Sequence, residues 1–164
     1  AQSVDCRPVR IGAAGETMEA NFRNLSGRPL ELWVARLAAE KFAAGHRLLI
    51  KAGSPERLRT LDQALWTFDP GSFLPHGIMD GGNAARQPIL LSLNDESPNQ
   101  ADCLVVVDQA SIPSSSAFHS IDYVFERADP AGRDAARTQW RLWKEQGLEP
   151  VYWEAGADGW RRAG

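Results

Sequence analysis

Apolar and polar residues follow one another along this chain in two patterns, one typical of helices and one typical of buried strands. Between Leu30 and Ala38 the apolar side chains recur at spacings of three and four residues, which predicts an amphipathic helix. Residues 103–107 are almost continuously apolar, as in a strand that is buried on both faces. Because such segments alternate through most of the chain, the pattern predicts an α/β fold: a mostly parallel sheet with helices on both faces.

Capping residues mark where the predicted helices begin and end. Ser54 before Pro55 combines an N-cap with a proline in the first turn, and Asp129 before Pro130 repeats this arrangement. Gly147 ends the helix that begins at Pro130. The predicted strands cover residues 21–25, 47–52, 89–93, 103–107 and 121–126.

The same pattern divides the chain into three parts. Residues 1–19 show neither helical nor strand periodicity and are interpreted as an N-terminal extension. Residues 20–154 are expected to form a single α/β domain, in which a short helix is expected around Phe118. Residues 155–164, rich in glycine and ending in a basic segment, are interpreted as a C-terminal tail.

Composition narrows the classes of function. The chain has 164 residues, 43% of them hydrophobic and 24% charged, as in an ordinary soluble globular protein. Its net charge of −3 disfavours broad affinity for nucleic acid, which depends on many basic contacts to phosphate. Cys6 and Cys103 are far apart, and Cys103 begins an apolar strand, so we expect a reduced cytoplasmic protein without a disulfide.

The last predicted helix carries the clearest chemical signal. At about 100° per residue, its basic residues fall within an arc of roughly 80°. These residues are Arg133, Arg137, Arg141 and Lys144. Trp140 lies at one edge of this arc, so the helix presents a cationic stripe beside an indole. A solvated surface remains the alternative, with Asp134 pairing with Arg137 and Glu145 with Arg141.

A second candidate surface is the segment 61–77, where a helix ends in a loop that contains two prolines and a glycine. Its large apolar side chains cannot all be hidden in regular structure, and exposed aromatic groups suit contact with another protein. The segment contains no good nucleophile. We therefore interpret it as a docking surface.

No arrangement of residues indicates catalysis or a cofactor. The chain contains no Ser-His-Asp spacing, no C-x-x-C and no H-E-x-x-H, and its glycine-rich segment near Gly12 lacks the features of a phosphate-binding loop. We expect no metal and no cofactor. Asp108, near the carboxyl end of a strand, leaves open one alternative, a small α/β nucleotide-binding domain or enzyme.

Sequence motifs within the segment 61–77 carry a resemblance to a known family. The patterns L-D-x-A-L-W and S-F-x-P-H-G resemble the signature of the DNA polymerase III chi subunit, an accessory protein of the bacterial clamp-loader assembly. The strand beginning at Gly45 precedes these motifs at the spacing of that family. The strands at 87–91 and 102–107 and the basic helix at 135–141 follow them at the expected distances. The resemblance extends over residues 21–153 and implies a Rossmann-like, non-catalytic protein.

The resemblance also implies two binding surfaces and their partners. One surface would bind the acidic C-terminal tail of single-stranded DNA-binding protein. Its residues would be Arg133, Arg137, Trp140, Arg141, Lys144 and Tyr152. The other would dock the psi subunit or an equivalent, such as an accessory helicase. Its residues would be Trp66, Phe68, Phe73, Pro75 and His76. Direct binding of nucleic acid through the same arginines is a rival that the net charge disfavours, and no membrane association is expected.

Overall fold

The computed structural model describes residues 18–69, 71, 73–79, 83–112 and 118–163. Within this part of the chain, eight strands form one sheet. They are β1 (Glu19–Asn24), β2 (Leu48–Lys51), β3 (Gly77–Ile78), β4 (Ile89–Ser92), β5 (Cys103–Val106), β6 (Ser120–Phe125), β7 (Val151–Gly156) and β8 (Gly159–Ala163). The long helices are α1 (Leu30–Ala43), α2 (Pro55–Thr67) and α3 (Pro130–Glu145). A 3-10 turn, Ala84–Arg86, precedes β4.

The strand order across the sheet is β3-β4-β2-β5-β6-β1-β7-β8. Every neighbouring pair is parallel except β7 and β8, which form an antiparallel hairpin. The predicted α/β class, with a mostly parallel sheet, is therefore confirmed. In this order β1 lies between β6 and β7, which places Phe22 beside both Tyr123 and Tyr152.

Helices cover both faces of the sheet. Alternate residues of each strand point to opposite sides, so each face presents apolar side chains that the helices bury. In β2, Leu48 and Ile50 pack with α1 and α2, whereas Leu49 belongs to the core of the other face. That second core includes Phe22 from β1 and Trp143 from α3. The near-continuous apolar strands are thus explained by burial on two sides.

The helix boundaries confirm the capping residues expected from the sequence. The Ser54 hydroxyl accepts a hydrogen bond from the Arg57 amide at 3.2 Å, and the Asp129 carboxylate accepts one from the Gly132 amide at 3.1 Å. Gly147, which follows α3, has a φ of 88°, a conformation that favours glycine. Local sequence therefore determines where α3 starts and stops.

Two segments differ from their sequence interpretation. The segment 155–164 was expected to be a tail, but its described residues complete β7 and form β8, and Trp160 packs edge-to-face on Trp33 at 5.3 Å. Phe118 is buried in a non-helical segment directly before β6 rather than in a helix. Residues 113–117, which precede Phe118, and most of the N-terminal extension lie outside the described residues. No helix in the described part of the chain is long and apolar enough to cross a membrane.

Candidate functional site

A groove of about 530 Å³ runs beside α3. It lies on the face of the sheet that α3 covers, above strands β1, β6 and β7. Its floor is aromatic. The ring of Phe22 lies 5.1 Å from that of Trp140, and the rings of Phe125 and Tyr152 are 6.3 Å apart. Phe22, Phe125 and Tyr152 come from three adjacent strands and reach the same face because strand residues alternate. The groove therefore offers an apolar floor on a rigid sheet.

Five basic side chains line the groove, and no acidic residue does in the described part of the chain. They are Arg127, Arg133, Arg137, Arg141 and Lys144. We call this feature the cationic groove. Since four of the five come from one stripe of α3, the helix supplies most of its positive charge.

These cations have few carboxylate neighbours in the described part of the chain. Arg133 Nε lies 3.8 Å from the Asp134 carboxylate, and Lys144 Nζ lies 3.3 Å from that of Glu149; both acids are well exposed. The alternative pairs, Asp134 with Arg137 and Glu145 with Arg141, are not formed within 4.0 Å. The arginines are therefore available for an anionic ligand.

Two buried polar atoms of the groove have no hydrogen-bond partner among the described residues. They are Nε of Arg133 and the hydroxyl of Tyr152. A buried polar group without a partner costs free energy, and that cost is recovered when a ligand supplies the missing bond. Both groups can donate, so the groove favours a ligand that carries acceptor oxygens.

The structure brings together all six residues that sequence analysis grouped on the α3 surface. It also adds residues that were missed: Phe22, Phe125 and Arg127. Phe22 and Phe125 lie in predicted strands, but only the strand order places them under α3. Arg127 lies in the loop between β6 and α3, for which the sequence gives no positional signal.

The segment 61–77 presents two exposed aromatic side chains. Trp66 is 54% exposed and Phe73 67% exposed, and their rings lie 5.7 Å apart. We call these two residues the aromatic pair. Two large aromatic side chains exposed side by side form an apolar patch on the surface, a feature that suits contact with another protein.

The three further residues proposed for this surface are less exposed than the aromatic pair. The side chain of His76 has no exposed area; its Nδ1 lies 2.6 Å from the Leu74 carbonyl oxygen and its Nε2 lies 3.0 Å from a carboxylate oxygen of Asp62. Its ring lies 4.8 Å from that of Trp66. Phe68 and Pro75 are half-buried. These contacts suggest that His76 fixes the loop rather than meeting a partner itself.

The carboxyl ends of β2 and β5 do not form a free acidic site. Arg57 Nε lies 3.0 Å from the Asp108 carboxylate, which also accepts a hydrogen bond from the Gly53 amide at 3.2 Å. The hydrogen bond to Asp108 is the main reason that the pKa of Arg57 is raised, and Glu31 contributes through a second ion pair. Because the polar groups here satisfy one another, the alternative of a catalytic or nucleotide site near Asp108 gains no support.

Among the described residues, one group of three side chains has donor types that suit a metal ion: His46, Asp102 and Cys103. Asp102 already lies 2.7 Å from His46 Nδ1 and accepts the Arg47 amide at 2.7 Å. Burial raises the pKa of the Cys103 thiol to about 11, so the sulfur keeps its proton at neutral pH. We interpret this group as a structural cluster at the start of β2 and β5.

Comparison with known proteins identifies the family. The family model described as DNA polymerase III chi subunit, HolC, matches residues 18–151. The DNA polymerase III subunit chi of Pseudomonas aeruginosa is 29% identical over 115 residues, which cover 68% of this chain and 77% of that protein. The Haemophilus influenzae protein of the same name is 29% identical over 113 residues, with the same coverage.

The Escherichia coli DNA polymerase III subunit chi is 28% identical over 97 residues, which cover 58% of this chain and 66% of that protein. The matched region includes the aromatic pair and all of α3, the two features that sequence and structure single out. The chain belongs to the family of DNA polymerase III chi subunits, non-catalytic accessory subunits of that polymerase with a role in DNA replication.

Proposed function

We propose that this chain links the clamp loader of DNA polymerase III to single-stranded DNA-binding protein in the cytoplasm, by holding the acidic C-terminal tail of that protein in the cationic groove. The observation that carries the proposal is the groove itself. Among the described residues, five cations and no acid line the aromatic floor, although the whole chain has a net charge of −3.

The chemistry of such a tail matches the groove in two respects. Several aspartates and a terminal carboxylate need cations, and arginine binds carboxylates through two parallel hydrogen bonds. A terminal Ile-Pro-Phe sequence needs an apolar surface, which Phe22, Trp140 and Tyr152 supply. The buried donors on Arg133 and Tyr152 give oxygen atoms of the peptide additional partners.

We further propose that the aromatic pair docks a second subunit, psi or its equivalent. Trp66 and Phe73 are the two most exposed large hydrophobic side chains of the described residues, and they belong to one segment. Aromatic anchors of this kind carry much of the binding energy at protein interfaces. The two surfaces would allow one chain to hold both partners.

Direct binding of single-stranded DNA through the cationic groove is a rival proposal. Phosphate and carboxylate both attract arginine, so charge alone does not separate the two ligands. The terminal phenylalanine of the peptide provides the distinction. If the aromatic floor receives this side chain, a peptide that carries it should bind more tightly than a peptide of the same charge that lacks it.

The test is a titration of the protein with a labelled acidic peptide that ends in Ile-Pro-Phe, and with the same peptide lacking the phenylalanine. We expect Arg137→Ala to weaken binding of the complete peptide by about tenfold, since it removes a charge-assisted contact. Loss of the phenylalanine should weaken binding at least as much. Arg59→Ala is the matched control, because Arg59 is an exposed arginine of α2, outside the groove.

Two results would count against the groove proposal. One is equal affinity for the two peptides, and the other is an Arg137→Ala protein that binds as well as the Arg59→Ala control. Affinity for single-stranded DNA in the absence of any partner protein, reduced by Arg137→Ala, would favour the rival.

The second surface is tested with purified psi subunit. Phe73→Ala should weaken the complex by about tenfold or more, as expected for an aromatic anchor, without lowering the stability of the free protein. Leu93→Ala is the control, because Leu93 is also exposed, at 38%, but lies after β4. Equal affinity of both variants would exclude the aromatic pair as the docking surface.

A further inference from the structure

The cationic groove receives one basic residue from outside α3. Arg127 lies in the loop that joins β6 to α3, two residues after Phe125 of the groove floor, and it lines the groove together with the helix stripe. We propose that Arg127 determines how strongly the groove selects anionic ligands, and that Asn24 and Glu126 position it. This inference rests on the proposed function of the groove.

A hydrogen bond of its backbone amide fixes the position of Arg127. Its amide donates a hydrogen bond to the side-chain oxygen of Asn24 at 3.0 Å, although the two residues are 103 positions apart in sequence. Asn24 ends β1 and is 4% exposed, so this acceptor is buried and fixed by the sheet. The loop after β6 is therefore attached to the strand next to it.

The side chain of Glu126 provides a second attachment for the same loop. Its carboxylate accepts the Gly27 amide at 2.6 Å and the Ala128 amide at 2.9 Å. The first bond joins the loop to the turn after β1, and the second closes the loop on itself. Because Glu126 uses its oxygens in this way, it stabilises the loop instead of pairing with Arg127.

The charged end of Arg127 is left for a ligand. The side chain is exposed, and no carboxylate of the described residues lies within 4.0 Å of its guanidinium group. A cation on a fixed loop loses less conformational freedom on binding than one on a mobile loop, so more of its attraction appears as affinity. Cations from the loop and from α3 also approach the ligand from two directions. A carboxylate placed between them therefore binds more tightly than one placed elsewhere.

The experiment compares Arg127→Ala with Arg59→Ala by fluorescence anisotropy, using a labelled acidic peptide that ends in Ile-Pro-Phe. The two changes remove the same charge, but only Arg127 lines the groove. We expect Arg127→Ala to weaken binding about 3- to 10-fold, the range of one partly exposed charge-assisted contact. A neutral peptide, with asparagine for aspartate and an amidated end, should bind both variants equally. An effect of the same size on the neutral peptide would overturn the inference.

The positioning role is tested by a double-mutant cycle. Asn24→Ala should weaken peptide binding when Arg127 is present and have no further effect in the Arg127→Ala protein. A purely structural role would lower affinity in both backgrounds and would contradict the assignment. Glu126→Gln, which removes one acceptor and preserves side-chain volume, provides the same cycle if Asn24→Ala fails to fold.

Failure of this inference is distinguishable from failure of the proposed function. If wild-type protein binds the peptide and Arg137→Ala weakens it, but Arg127→Ala matches the Arg59→Ala control, the groove proposal stands and the role of Arg127 is wrong. If wild-type protein does not bind the peptide, both are wrong.

Discussion

At the scale of single residues, a buried ion pair joins the strands next to the groove. Asp122 of β6 has no exposed surface, and one of its carboxylate oxygens lies 2.6 Å from Nε of Arg23 in β1, whose side chain is 7% exposed. Lys41 of α1 approaches the other oxygen at 3.5 Å, and the Arg23 guanidinium stacks over the indole of Trp153 at 4.6 Å. Each of these buried charges is stabilised by the opposite charge beside it, so removal of one leaves the other without compensation.

Replacing Asp122 by alanine should therefore destabilise the protein severely. The change leaves Arg23 buried without its partner, which costs about 3–5 kcal/mol. Urea denaturation measures the loss, and Asp134→Ala is the control, because the carboxylate of Asp134 is 70% exposed beside Arg133 and should matter by less than about 0.5 kcal/mol. Equal effects of the two changes would show that the buried pair contributes no more than a surface pair.

Glu31 gives a prediction about stability in acid. Burial acts to raise its pKa, but hydrogen bonds from its own backbone and Thr60, together with the charge of Arg57, outweigh burial, so the pKa is lower in the folded protein. The carboxylate therefore stabilises the fold above the unfolded pKa of about 4.3, and this contribution disappears as the pH falls through the lower, folded value.

The measurement is the urea midpoint of wild-type protein and Glu31→Gln from pH 7 to pH 3. Wild type should be the more stable at pH 7, and the difference should shrink as the pH falls below about 5. Other carboxylates titrate in both proteins, so they cancel in the comparison. A difference that stays constant over this range would contradict the assigned role of the charge.

At the scale of elements, the hairpin of β7 and β8 is part of the core. Trp160 of β8 is half-buried and packs on Trp33 of α1 at 5.3 Å, and Arg23 lies 5.3 Å from its ring. β8 forms an edge of the sheet, and the family match ends before it, at residue 151. In the described part of the chain, β8 therefore pairs with the outer edge of β7.

Trp160→Ala should lower the free energy of unfolding by about 2–3 kcal/mol, since it removes a large, partly buried aromatic contact. Arg161→Ala, at the next position but with a side chain that is 73% exposed, should change it by less than about 0.5 kcal/mol. Urea denaturation of both variants checks this. Similar small losses for both would mean that β8 adds little to the stability of the sheet.

The helix α3 could be predicted from the sequence, whereas the strand β8 could not. For α3, the caps at Asp129 and Gly147 and the positions of the basic residues were all predictable, because helix geometry is local. The strand β8 was not predictable, because a short segment with glycines and arginines resembles a tail. The contact between Trp160 and Trp33 is long-range, so the local sequence does not indicate it.

The cationic groove was predictable only in part. The helix stripe follows from a regular rotation of 100° per residue. The floor depends on the strand order, which places β1 between β6 and β7 although they are far apart in sequence. The position of Arg127 depends on hydrogen bonds that join its loop to Asn24 and Gly27, about 100 residues earlier, and the local sequence does not indicate these contacts.

At the scale of the whole molecule, the cationic groove and the aromatic pair lie far apart. The net charge is −3, yet five basic side chains line one groove. The aromatic pair lies near β3 at one side of the sheet, whereas the groove lies over β6, β1 and β7. Five strand spacings separate β3 from β1, a distance of about 24 Å. Two partners could therefore bind without competing for the same surface.

The most direct test of the account is a calorimetric titration with full-length single-stranded DNA-binding protein and with a form that lacks its acidic C-terminal tail. We expect wild-type protein to bind the full-length form and to fail to bind the tail-deleted form, and we expect Arg137→Ala to weaken the first interaction by about tenfold. Undiminished binding of the tail-deleted form would contradict the central claim that the cationic groove holds the tail.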